Sequence, residues 1–272
     1  MAKFSEEYPE LRMSEASLAP LVSEFSKLVN EEHGEQTYQA FLEAHPQFIP
    51  RLFIQNHGLH HDLIFSKLSI GSEYKTEFCY LAKSSCDWNC VLIEIEKPSS
   101  KYFKAKNEFH ADFNHALGQI ERWRMWFESS ENRNYFTNEI LGPVRYPLDG
   151  NPCSIKYVLV HGRRSEYEGN NVRMGLRRTQ KRDDVMILSY DSLIEGAKNN
   201  DDAYICSKKN EFVDIISKHF VTDSAFIWLG SRGLRVNREL REDFENAIKK
   251  VKSRCVYPKM EDLLKRLTSI SD

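Results

Sequence analysis

No stretch of the 272-residue chain stays apolar for long. Runs such as Tyr157–Val160 end after four residues, far short of the ~20 a membrane helix needs, so no membrane span is expected. The six cysteines, at 79, 86, 90, 153, 206 and 255, form no C-x-x-C pair, which argues against a zinc ribbon and against a disulfide framework. Reduced thiols in a cytoplasmic protein are the expectation. The opening residues MAKFSEEYPELRMSE lack the apolar core of a secretory signal, and internal repeats and low-complexity tracts are missing as well. A net charge of −2 gives no global attraction to a polyanion. Any such attraction has to be local.

With 41% hydrophobic and 29% charged residues, the composition is that of a globular protein, neither disordered nor fibrous. The charge is unevenly spread. Residues 1–48 hold nine acids against three bases, whereas 161–182 hold seven bases against two acids.

Periodicity predicts an amphipathic helix from Ser14 to Asn30, with Leu18, Leu21, Val22, Phe25 and Leu28 on one face and Ser14 as N-cap. A second helix over Gln36–His45 stops at Pro46. Strand-like runs follow at His61–Leu68, Tyr74–Leu81 and Asn89–Glu96 and read as a meander. A long helix over Lys104–Glu128 carries Phe109, Phe113, Ala116, Leu117, Ile120, Trp123 and Phe127 on one stripe. Buried strands at Ser154–Val160 and Val185–Ser189 flank a basic, helical stretch. The tail patterns as helical around Glu211–Phe220, Asn237–Val251 and Lys259–Leu267. The expected class is therefore α/β, a mixed α+β sheet with N-terminal helices and a mostly helical C-terminal extension. It divides into an acidic helical segment (1–36), a core (37–199) and an extension (200–272).

In a strand, residues two apart share a face, so Glu94 and Glu96 stand together about 7 Å apart while Val91, Ile93 and Ile95 face the core. Paired carboxylates at a strand end repel each other unless a cation lies between them. A hard divalent ion, Mg²⁺ or Mn²⁺, suits them. Glu77, one strand earlier, supplies a third carboxylate, and Glu43 on the preceding helix a possible fourth. Such a cluster fits metal-assisted phosphodiester hydrolysis. The plain alternatives are a charged edge that deters aggregation for Glu94 and Glu96, and a cross-strand pair with Lys75 for Glu77.

The sequences Tyr74-Lys75-Thr76-Glu77-Phe78 and Val91-Leu92-Ile93-Glu94-Ile95-Glu96-Lys97-Pro98 resemble the PD-(D/E)xK nuclease superfamily, specifically the Shedu family of bacterial anti-phage nucleases. Phe41-Leu42-Glu43-Ala44-His45-Pro46, Gln119, His161-Gly162-Arg163 and Leu188-Ser189-Tyr190-Asp191-Ser192-Leu193 fall in the matching order. The resemblance implies a restriction-endonuclease-like core, a Mg²⁺-dependent DNA endonuclease, a homo-oligomer and a role in phage defence. It places Glu77, Glu94, Glu96, Lys97 and Gln119 in the catalytic site. Two positions depart from the pattern: Glu77 stands where aspartate is usual, and Glu96 where the lysine that orients or deprotonates the attacking water is usual. That leaves Glu96, or a lysine reaching in from elsewhere, to act as base. A nuclease fold without turnover, serving as a DNA-binding or assembly module, is the competing expectation.

For DNA contact the sequence offers Arg163, Arg173, Arg177 and Arg178, the densest basic run, with Arg173 and Arg177 at helical spacing. A solvated or subunit-pairing face is the equal alternative. The tract Asn56-His57-Gly58-Leu59-His60-His61-Asp62 is expected in a loop or sheet rather than at a metal, because adjacent strand residues point to opposite faces.

Overall fold

The computed structural model describes residues 13–145, 148–222 and 234–246. Helix α1 (Glu15–Leu28) starts where the Ser14 hydroxyl accepts from the Ser17 amide at 3.2 Å, and it buries Leu18 and Phe25. Helix α2 (Glu35–Ala44) buries Tyr38, Phe41 and Leu42 and stops ahead of Pro46, whose ring cannot continue a helix. Strands β1 (Leu59–Ser66), β4 (Phe78–Lys83) and β5 (Trp88–Ile95) form the expected antiparallel meander. Strands β6 (Cys153–Val160) and β7 (Val185–Leu188) then extend it in parallel with β5.

The chain's later part joins the same sheet. Strand β8 (Tyr204–Lys209) pairs in parallel with β1, β9 (Phe212–Ile215) folds back on β8, and β10 (Leu234–Val236) runs parallel to β9. The sheet has eight strands in the order β10-β9-β8-β1-β4-β5-β6-β7.

This corrects the helix expected over Glu211–Phe220. Val213 and Ile215 are buried while Phe212 and Asp214 are half-buried, an alternation with a period of two, and Asn210 takes φ 52° in the two-residue turn from β8. Asn tolerates that left-handed backbone. The expected tail helix at 237–251 is described only in part, as a 3₁₀ turn (Arg238–Leu240) and helical residues 241–246. The one at 259–267 lies outside the described residues.

Side chains on alternate faces build two cores. One face carries Phe65, Cys79, Leu92 and Leu159 against helix α3 (Ala111–Glu128), which inserts Phe113, Ala116, Ile120, Trp123 and Phe127. The other carries Ile64, Phe78, Ile93 and Val158 against α1, α2 and helix α6 (Tyr190–Gly196). Each fully buried aromatic or aliphatic side chain contributes about 1.5–3 kcal/mol. Short helices α4 (Ser130–Asn134) and α5 (Asn171–Arg178) complete the set.

Three further expectations shift. The run Tyr74–Leu81 is not one strand: β3 (Tyr74–Lys75) pairs with β2 (Ser69–Ile70) in a separate hairpin, and the chain kinks at the buried Thr76 before β4. Helix α3 begins at Ala111 rather than Lys104. Asn107, at φ 61°, turns the preceding loop, and the His110 ring accepts from the Asp112 amide as N-cap. In β1, His61 and Asp62 both adopt left-handed backbone and shift the register against β4. Alternation fails there, and the His60 and His61 rings lie 3.7 Å apart instead of on opposite faces.

Candidate metal and active site

The meander register builds the acidic cluster. Phe78 pairs with Ile93, so one step outward Glu77 faces Glu94, and Glu96 follows at the strand end. There its amide still donates to the Val160 carbonyl at 2.9 Å and its carbonyl accepts from the Tyr190 hydroxyl at 2.7 Å. All three acids share the α3 side of the sheet by parity with Cys79 and Leu92.

The electrostatics are those of carboxylates held too close in a dry place. Burial, then the charges of Glu77 and Glu96, push the Glu94 carboxyl up from 4.5 to about 8. Burial also raises Glu77, opposed by Lys67, and it raises Glu96, reinforced by Glu35.

Lys67 is a site residue that the sequence pattern does not announce. It follows β1 with φ 53°, its amide donates to the Glu77 carbonyl at 3.1 Å, and its ammonium forms an ion pair with the Glu77 carboxylate. Its charge also lowers the Glu94 carboxyl, against the other influences. No motif spacing flags it, because it enters from the neighbouring strand; only the β1–β4 pairing brings it in.

Other expected site residues are placed differently. Glu43, on α2, accepts from the Ser66 hydroxyl at 2.5 Å and the Gln39 amide at 3.0 Å, and its charge still reaches the Glu77 carboxyl and raises it. Gln119 spends its carbonyl on the Arg122 guanidinium, at 3.2 and 2.5 Å. Lys97 is exposed, one step past the acids in the turn closed by the Ser100 amide on its carbonyl.

Among the described residues, no three His, Cys, Asp or Glu side chains converge closely enough to hold an ion. Glu77 is held by Lys67 and Glu43 by Ser66. The three part-buried carboxylates are offset only by Lys67 at Glu77 and Glu94 and by His115 and Lys97 at Glu96, so a hard divalent cation that drew them together would relieve their repulsion.

Three of the four arginines expected on DNA are tied up inside the protein. Arg163 grips Asp191 with Nε and Nη2, the closest contact being 2.9 Å, and donates from Nη1 to the Val29 carbonyl and the Asn30 side chain. Arg173 donates to Asn107 and to the Glu166 and Lys104 carbonyls, and it lies over the Phe103 ring. Arg177 donates to the Ile187 carbonyl and stacks on Tyr167 and Tyr102. Arg178 is exposed. In the histidine tract, His60 and His61 lie in β1: His60 hydrogen-bonds the Val144 carbonyl at 2.8 Å, and burial drives the His61 pKa down to about 3.

No described helix is long and apolar enough to cross a membrane. A comparison with curated proteins finds no match. The family described as Shedu protein SduA, C-terminal, matches residues 32–194, which span 163 of the 272 positions and contain α2, the whole meander, α3, the acidic cluster and the Arg163–Asp191 clamp. On that match the chain belongs to the Shedu family of anti-phage defence proteins.

Proposed function

We propose that this chain is a divalent-metal-dependent DNA endonuclease with a PD-(D/E)xK-type core, acting in the bacterial cytoplasm against foreign DNA. The observation that carries this reading is the Glu94 carboxyl, pushed up to about 8 by burial and by Glu77 and Glu96 at the end of a central strand. Acids perturbed together by burial and mutual charge beside a cleft at a sheet end are the arrangement that catalytic carboxylates use.

Glu77, Glu94 and Glu96 would hold the ion, Mg²⁺ or Mn²⁺, with Glu77 exchanging part of its contact with Lys67. When bound, such an ion supplies charge neutralisation at a scissile phosphate. Glu96, the most outlying of the three, takes the proton of the attacking water at its carboxylate. Lys67 supplies, from β1, the positive charge that superfamily members take from the position Glu96 occupies. The family also carries the expectation of a homo-oligomer.

A second reading, a DNA-binding or assembly module without turnover, is favoured by the displaced lysine and by the open arrangement of the acids. Plasmid nicking with Mg²⁺ or Mn²⁺ separates the two. Purified protein that nicks, and loses both nicking and stoichiometric metal binding in Glu94→Ala, supports the nuclease. Nicking unchanged in Glu94→Ala removes the site assignment. Glu96→Gln is expected to lower the rate by about 10²-fold or more with DNA binding retained, while Lys97→Ala is expected to be mild. The reverse order would make Lys97 the base.

A further inference from the structure

The strand directions decide what lies beside the acids. Strands β8, β1 and β5 all end on the same sheet edge, and β4 begins there. Along that edge stand, in sheet order, the β8–β9 turn with Lys208 and Lys209, then Lys67, Glu77 and Glu94, and then the loop from β5 to α3. That loop begins with Glu96 and also holds Glu108, and between them the run Lys97-Pro98-Ser99-Ser100-Lys101-Tyr102-Phe103-Lys104-Ala105-Lys106 contains four lysines and no acid. All four lysines are exposed.

The loop is built rather than loose. Gly162, at φ +52°, lets the chain pass so close that an added Cβ would stand 2.5 Å from the Ser100 carbonyl. The His161 ring hydrogen-bonds the Lys101 carbonyl at 3.2 Å, and the Lys101 amide donates to the Asp112 carboxylate at 3.1 Å.

An open cleft lies on each side of the acids. One of about 760 Å³ is lined by Leu68, Ser69, Lys208 and Lys209, with the acids Glu139 and Glu211 also at its wall. The other, of about 580 Å³, is lined by Glu96, Lys97, Ser99, Ser100 and His115, with the acids Glu32 and Asp112 at its wall.

We propose that this edge is the DNA track: the phosphodiester backbone crosses the acids at the sheet end, gripped on one flank by Lys208 and Lys209 and on the other by Lys101 and Lys106. This rests on the nuclease reading for its substrate and replaces the arginine run of helix α5 as the contact surface. From β8 to β5 the sheet spans three strand intervals, about 14 Å, the axial length of about four base pairs. Lysines flanking a cluster of carboxylates place a phosphate over the acids without adding positive charge where a cation must sit. Lys104 is partly engaged by Glu108 at 3.8 Å, and the Lys208 ammonium rests on the Asn210 carbonyl. Both contacts are at the surface and yield readily to a phosphate.

The test uses the full chain, a fluorescent 30-base-pair duplex and a salt titration. Lys101→Glu with Lys106→Glu, and separately Lys208→Glu with Lys209→Glu, should each flatten the log–log salt slope by about 2, since each phosphate neutralised by a lysine accounts for about 0.9 of the slope. Stoichiometric Mg²⁺ binding by calorimetry should persist in both. The equal-charge control, Arg178→Glu at the exposed end of α5 with Lys181→Glu in the turn just beyond it, should leave the slope unchanged.

A slope altered by the control and not by the edge variants overturns the track, as does a parent protein that does not bind the duplex. If the edge variants flatten the slope but the parent neither nicks nor binds Mg²⁺, the track stands and the nuclease reading falls. Lys→Gln versions of the same pairs lose the same two phosphate contacts and should also flatten the slope by about 2, which guards against an effect of charge reversal on folding.

Discussion

Glu94→Gln should make the metal-free protein more stable, and increasingly so as pH rises. A carboxyl whose folded-state pKa is raised, here from 4.5 to about 8, binds its proton more tightly folded than unfolded. Its contribution is intact below 4.5 and is lost as pH climbs through about 8. At 1.36 kcal/mol per pH unit the full loss is about 5 kcal/mol, of which about 1 is reached at pH 5 and about 3 at pH 7. Glutamine keeps the shape and never ionises, so the variant escapes this loss.

Urea unfolding in EDTA between pH 5 and 9 reads the effect directly. The variant's advantage over the parent should widen by about 4 kcal/mol across that range and level off above pH 8. Saturating Mg²⁺ should then reverse the order, because an ion that binds only the folded parent stabilises it by mass action and the variant lacks the ligand. Stability curves that run parallel in EDTA would refute the argument, since Glu94 would then ionise as readily folded as unfolded.

Lys67→Met should lower nicking by about 10²-fold or more and move the rising limb of the pH–rate profile to higher pH. Lys67 lowers the Glu77 and Glu94 carboxyls, and Lys67→Arg should restore both; a rate loss with an unmoved limb would make the residue merely structural. The buried His61, held neutral to about 3 by burial, runs with the opposite sign: the unfolded chain gains a proton near 6.5 that the folded protein refuses. Parent stability should therefore fall by about 2 kcal/mol relative to His61→Asn between pH 8 and 5, and an equal acid limb in both proteins would contradict this. Arg163→Ala should cost about 1.5–3 kcal/mol through the missing Asp191 and Asn30 bonds and leave the salt slope of DNA binding untouched. A flattened slope would return Arg163 to the DNA surface.

The meander, its bracketing helices and the following parallel strands are legible in the sequence because their side chains keep one period from end to end: Val91, Ile93 and Ile95 in β5, and Phe113, Ala116, Ile120, Trp123 and Phe127 in α3. Legibility fails where backbone geometry breaks the period. Two successive left-handed residues at His61 and Asp62, and Asn107 at φ 61°, reset the direction of every side chain after them, and nothing in the neighbouring composition announces it. Strand β9 reads as helix because Phe212–Ile215 is too short to show which period it follows. Only its pairing with β8 decides the matter.

At the site the same division separates two kinds of residue. Glu94 and Glu96 emerge from the sequence because one strand sets their spacing. Lys67 and Glu77 are ten positions apart with a hairpin between them, and no period connects them; long-range pairing of β1 with β4 does. The arginines err in the other direction. A basic helix face reads as free charge, yet Arg173 and Arg177 reach back over Phe103, Tyr102 and Tyr167 to carbonyls. Guanidinium groups have five donors and a flat face, so a rim of carbonyls and aromatic rings can hold them inside the protein. Lysines, with a compact and strongly hydrated head, stay in water at Lys97, Lys101, Lys104 and Lys106. In a chain of nearly zero net charge, the cations still exposed beside the acids are therefore better guides to a polyanion's path than the cations that are most closely spaced in the sequence.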